Sequence, residues 1–124
     1  MTGEQNVESA KKAYAAFIGG DAEGAMANLA DDIEWVTPGN SAISGIGHGK
    51  QDVGQLWGKL AEQGFKTEPQ HWFSDDERVV VLCHTSMGGD EADTADVMTF
   101  RDGKVVKFQT AGDTASMERH FGKK

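Results

Sequence analysis

One cysteine in 124 residues leaves nothing to pair with inside the chain, so no intrachain disulfide staples this protein. Cys83 closes an apolar run, where a cysteine behaves as a small buried hydrophobe rather than as a nucleophile. Long apolar runs are missing as well. The longest, Val79 to Cys83, is far short of the about 20 residues that cross a membrane. The opening MTGEQNVESAKK has no stretch of the signal-peptide kind, and the expectation is a cytoplasmic protein. Basic clusters are absent before Lys123-Lys124, and 20 acidic against 12 basic side chains give a formal charge of −8. Nucleic acid and anionic membranes would be repelled on average and are not expected as partners. His48, His71, His84 and His120 show no metal-ligand spacing, and neither HExxH nor CxxC occurs. No metal and no cofactor is therefore expected.

What is there reads as one domain over residues 1–124, with no repeat, low-complexity tract or linker. From Glu4 to Ile18, Val7, Ala10, Tyr14, Phe17 and Ile18 recur at spacings of three and four, and Gly19-Gly20 ends that amphipathic helix. Asp21 is a good N-cap for a second helix carrying Ala22, Ala25, Met26 and Leu29 on one face and ending near Ala30. Ile33 to Thr37 alternates as a short strand until Pro38-Gly39. Residues Pro38 to Gly49 hold four glycines and little periodicity, which predicts a loop walling a pocket. A third helix spans about Lys50 to Gln63, with Val53, Leu56, Trp57 and Leu60 on one stripe.

Past Gly64 the pattern turns to strands: Phe65 to Phe73, Arg78 to Met87, Ala92 to Arg101 and Lys104 to Ala111. Their short connections predict an antiparallel meander. Val79, Val81, Cys83 and Met87 oppose Val80, Leu82 and His84, so both faces of that strand are largely apolar. Helices on one face then leave the other for a second subunit. The architecture implied is α+β, a curved antiparallel sheet packed on N-terminal helices, with a cavity at its open end.

Asp102-Gly103 between two alternating runs marks a two-residue hairpin. On its first arm Asp96 shares a face with Met98 and Phe100. Either that face is wet, or Asp96 lines a cavity where desolvation raises its pKa and fits it for proton transfer. Asp113 after the second arm has two readings too, N-cap of a short terminal helix or acid/base group. His84 and His71 lie in strands, where they are solvated or satisfied histidines unless they meet Asp96 in the pocket. Trp35, Trp57, Trp72, Phe100 and Phe108 serve as core, as pocket wall, or as both.

The order of elements, with Ala15-Ala16-Phe17-Ile18-Gly19-Gly20-Asp21, Leu29-Ala30-Asp31-Asp32-Ile33-Glu34-Trp35 and Thr99-Phe100-Arg101-Asp102-Gly103-Lys104-Val105-Val106, resembles the nuclear transport factor 2-like (NTF2-like, cystatin-like) superfamily. Within it the chain is similar to SnoaL-like and ketosteroid isomerase-like proteins. That resemblance implies a cone-shaped domain with an internal pocket. The isomerases' catalytic base falls on Thr37, which cannot abstract a carbon-bound proton at neutral pH, and their oxyanion-hole Tyr falls on Ala13. Tyr14, one residue on, is rotated by about 100° around the helix. Only their second donor survives, as Asp96. SnoaL-type polyketide cyclases place an acid/base Asp where Asp113 lies. Epoxide hydrolases of the superfamily need an Arg and an Asp that the strand Val79 to Met87 lacks.

The combined expectation is a homodimer through the sheet that binds a small apolar or polycyclic carbonyl compound. Acid/base isomerisation or cyclisation would run through Asp96, Asp113 and His84. Tyr14, Trp35, Thr37, Trp57, Met98, Phe108 and Thr110 would line the ligand site. The alternatives are a non-catalytic ligand-binding or dimerisation module, favoured by Thr37 at the base position, and an acidic surface docking a basic protein partner.

Overall fold

The helices form where the apolar spacing asks for them. In the computed structural model, which describes residues 2–124, α1 (Gly3–Ile18) opens with a capping box between Thr2 and Gln5. Its inner stripe of Val7, Ala10 and Tyr14 packs on the core. Asp21 caps α2 (Ala22–Met26), accepting from the Gly24 N–H at 2.9 Å. α3 (Gly49–Glu62) buries Val53, and α4 (Thr114–Phe121) starts at Asp113, which accepts from the Ser116 N–H at 3.0 Å.

Six strands make one sheet: β1 (Leu29–Thr37), β2 (Gly45–His48), β3 (Lys66–Ser74), β4 (Arg78–Met87), β5 (Asp90–Arg101) and β6 (Lys104–Ala111). Their order is β2-β1-β6-β5-β4-β3. β3 to β6 form the expected antiparallel meander. The Asp102-Gly103 turn joining β5 and β6 has both residues at positive φ, 52° and 79°, as a turn matched to strand twist requires.

Three details depart from the sequence reading. α2 stops at Met26 rather than near Ala30, because the Asn28 carbonyl accepts from the Val105 N–H at 2.8 Å and Leu29 pairs with Val105. Ladder bonds to β6 outweigh the weak helical preference of so short a segment. The stretch from Pro38 to Gly49 is not all loop, since β2 pairs antiparallel with Thr37 to Glu34. Its glycines hid the alternation; Gly47 lies so close to Asp52 that a Cβ would sit 3.3 Å from the Asp52 Cβ. Finally, β1 meets β6 in parallel, so the sheet is mixed at that one seam.

Register irregularities between Leu29 and Glu34, Pro69 and His71, and Thr99 and Phe100 bend the strands. The sheet curls round α1 and α3, and Ile33, Val53, Val79, Val81 and Val105 are fully buried in the concavity. Along β4, Val79, Val81, Cys83 and Met87 point inward; Leu82 on the outer face is 38% exposed, and Phe73 of β3 is 57% exposed. Among the described residues no helix is long and apolar enough to cross a membrane. Urea unfolding is expected to show Ile33→Ala losing about 2–5 kcal/mol, and Leu82→Ala less than about 1 kcal/mol. Equal losses would contradict this division into inner and outer faces.

Candidate functional site

Strand alternation puts a row of side chains on the concave wall: Trp35 and Thr37 of β1, Phe108 and Thr110 of β6, Asp96 and Met98 of β5. With Tyr14 of α1 and Trp57 of α3 they enclose a cavity of about 160 Å³, room for a ring system rather than one water. One side is aromatic. Trp35 stacks on Phe108 at 3.7 Å and 9°, Trp57 meets Trp35 edge-on at 5.8 Å, and Phe17 meets Trp57 at 5.1 Å.

The opposite side centres on Asp96, which is 8% exposed. Its Oδ2 accepts from the Tyr14 hydroxyl at 2.5 Å, and its Oδ1 from the Thr110 hydroxyl at 2.7 Å. The Cys83 thiol points at Oδ2 from 3.8 Å. Desolvation pushes the Asp96 pKa above the usual carboxylate range, against the opposing pull of the Thr110, Tyr14 and Cys83 donors. Burial, then the Asp96 charge, likewise hold the Tyr14 hydroxyl well above its ordinary value. The same two causes push Cys83 up to about 11, which keeps it a thiol at neutral pH.

Of the two readings of Asp96, the structure gives the cavity. Asp113 is the N-cap of α4, the first of its two readings, and it also lines the cavity, with its Oδ2 3.7 Å from Arg119. The two carboxylates thus border one space. His84 does not join them. It sits on the outer face of β4, where Asp93 and Glu91 each hold a ring nitrogen at 3.0 Å and raise its pKa. Odd and even positions of a strand face opposite ways, so Cys83 is buried on the inner face against Asp96 while His84 points out. The β4 residues that line the cavity are Thr85 and Met87. His71 is exposed as well.

Tyr14, expected in the ligand site although one residue off the isomerases' Tyr position, lies against Asp96. Ala13 and Tyr14 both border the cavity, and the long phenol reaches Asp96 past the small Ala13. One feature carried no signal in the sequence. Asp90, at the β4–β5 turn, accepts from Ser116 at 2.8 Å, Arg119 at 3.0 and 3.3 Å and His120 at 3.1 Å, fastening α4 over the rim. Ile43, in the segment expected to wall a pocket, lines the cavity, as does Leu56 of α3.

A carboxylic acid whose pKa is higher folded than unfolded costs nothing below the unfolded value of about 3.9. Its penalty on the native state grows as pH rises through the folded pKa and is complete above it. The melting temperature of Asp96→Asn relative to wild type is therefore expected to climb between pH 4 and pH 8, measured by circular dichroism. A pH-independent difference would contradict the raised pKa.

A family model described as a SnoaL-like domain matches residues 10–108. Among solved structures, Bal32a from a soil-derived mobile gene cassette is 28% identical, with 98% of each chain covered and a TM-score of 0.86. An NTF2-like protein of unknown function from Burkholderia pseudomallei is 26% identical, covering 94% of this chain and 97% of that one, at a TM-score of 0.84. TerC, co-crystallised with polyporic acid, is 25% identical over 93% of this chain and 96% of that one, at 0.83. No curated protein sequence matches.

Proposed function

The chain belongs to the SnoaL-like domain family, and from there we propose that it binds a small apolar or polycyclic carbonyl compound and moves a proton on it. The observation that carries this reading is the 2.5 Å bond from Tyr14 to a desolvated Asp96 in an aromatic-walled cavity. As a carboxylate, Asp96 is held by Tyr14, Thr110 and Cys83. It takes a proton from the carbon beside the substrate carbonyl, and its raised pKa brings it closer to the operating pH of a general base. Once neutral, it releases the Tyr14 O–H to the developing enolate oxygen, a donor ready where charge appears. Return of the proton to another carbon isomerises the compound. Attack of the enol carbon on a second carbonyl closes a ring instead. Asp113, at the rim of the same cavity, exchanges the proton with solvent. Similarity to TerC, co-crystallised with polyporic acid, supports this reading.

The rival reading is a binding module without catalysis, which Thr37 on the cavity wall favours, since it is no base. Exchange of the α-protons of β-tetralone in D₂O, followed by proton NMR, separates the two. Wild type is expected to exceed buffer, Asp96→Asn to lose about 10²–10⁴-fold, Tyr14→Phe about 10–10³-fold, and the outward-facing His84→Gln nothing. Binding without exchange would leave the module. The outer sheet face adds a proposal of its own: Phe73, Val80 and Leu82 form an apolar patch on a chain of charge −8, and an identical uncharged patch is its fitting cover. Light scattering is expected to give a dimer that Leu82→Lys dissociates; a wild-type monomer would refute it.

A further inference from the structure

Beside the main cavity lies a second hollow of about 190 Å³, between α3 and the β1–β2 segment. Asp52, Gln55 and Lys59 border it on the helix side, and the backbone from Ser44 to Gly47 on the other. The two spaces share Trp35, Thr37, Ile43 and Leu56 as a common wall. Two of those four, Ile43 and Leu56, are aliphatic side chains that border both spaces. Lys59 stands three residues after Leu56 and therefore on the same side of α3, next to the partition.

The rims differ in charge. At the main cavity the lining includes Asp90, Glu91 and Asp113; Arg119 pairs with Asp90 and Asp113, His120 also meets Asp90, and Glu91 pairs with His84. An anion leaving that way meets carboxylates, and deeper in it meets Asp96. At the second hollow the Lys59 ammonium has no ion-pair partner among the described residues, and the Lys124 ammonium lies on the Ser44 carbonyl beside Gly45. The acid present there, Asp52, is engaged as acceptor of the His48 N–H at 2.8 Å, at the N-terminal end of α3.

We infer that the second hollow is a subsite for the carboxylate of an amphiphilic ligand whose apolar ring body fills the main cavity. This rests on the cavity reading above and adds the substrate class: a ring carbonyl compound bearing an acidic side arm. The arm passes between Ile43 and Leu56, and its charge ends near Lys59. Reversed placement would set two carboxylates together in a desolvated site, which the chemistry forbids.

The test is a matched pair of probes, naphthalene-butanoic acid and its primary amide, titrated against tryptophan fluorescence, since Trp35 and Trp57 wall the cavity. At low ionic strength wild type is expected to bind the acid about 3- to 5-fold tighter than the amide, the scale of one partly exposed ion pair. Added salt is expected to shrink that ratio. Lys59→Gln should abolish the preference and Lys59→Glu invert it, with the amide affinity unchanged in both. Equal binding of acid and amide by wild type, or a ratio untouched by Lys59→Glu, overturns the subsite and leaves the cavity reading standing. Quenching by neither probe overturns both.

Discussion

A carboxylate removed from water needs donors, and the donors of Asp96 come from three separate parts of the chain. Tyr14 reaches it from α1, Thr110 from β6 and Cys83 from β4. Those bonds tie the N-terminal helix to the middle of the sheet at the place where the concave face is otherwise apolar. A buried polar group left unpaired costs about 1–3 kcal/mol, more when charged, so the helix position, the strand register and the state of the carboxyl are linked. Moving α1 or slipping β6 by one residue strands the charge. The same arrangement stores chemical potential: burial makes Asp96 hold a proton more readily, and each donor pulls the other way. In the proposed function, a bound carbonyl compound would replace water and donors near the carboxyl and so act on that balance directly.

The fold was largely legible because its grammar is local. Helical stripes, the Asp21 and Asp113 caps and the Asp102-Gly103 turn are signals within a few residues, and the structure contains each. Misreadings came where long-range pairing decided the outcome. Leu29 left the helix for β6, and a glycine-rich segment became β2 by pairing with β1. At the site, period two placed Asp96, Met98, Phe108 and Thr110 together, and the same period placed His84 outside. That last inference was available from the sequence: in β4 His84 alternates against Cys83. The Tyr14–Asp96 contact, 82 residues apart, was not, because it depends on how far a phenol extends from a crossing helix. The Asp90 network lay beyond reach for the same reason, since nothing local announces that α4 folds back on the β4–β5 turn.

Charge is distributed to match this architecture. Most of the acidic excess sits on exposed surfaces, whereas the inner cavity wall is aromatic and hydroxyl-bearing around Asp96, with Asp90, Glu91 and Asp113 also lining the cavity. Aromatic faces at 3.7–5.8 Å offer flat contact area, and in the proposed function Asp96 with Tyr14 would supply orientation and proton transfer. Membership of the SnoaL-like family fixes the scaffold and leaves the chemistry to these residues.

The most direct measurement is the titration of the Asp96 carboxyl by carbon-13 NMR, with and without β-tetralone, using Asp96→Asn to assign the resonance. The expected result is a midpoint above the ordinary value of about 3.9 that moves when the ketone is added. A midpoint at the ordinary value, indifferent to the ketone, would contradict a desolvated carboxyl poised against a ligand carbonyl.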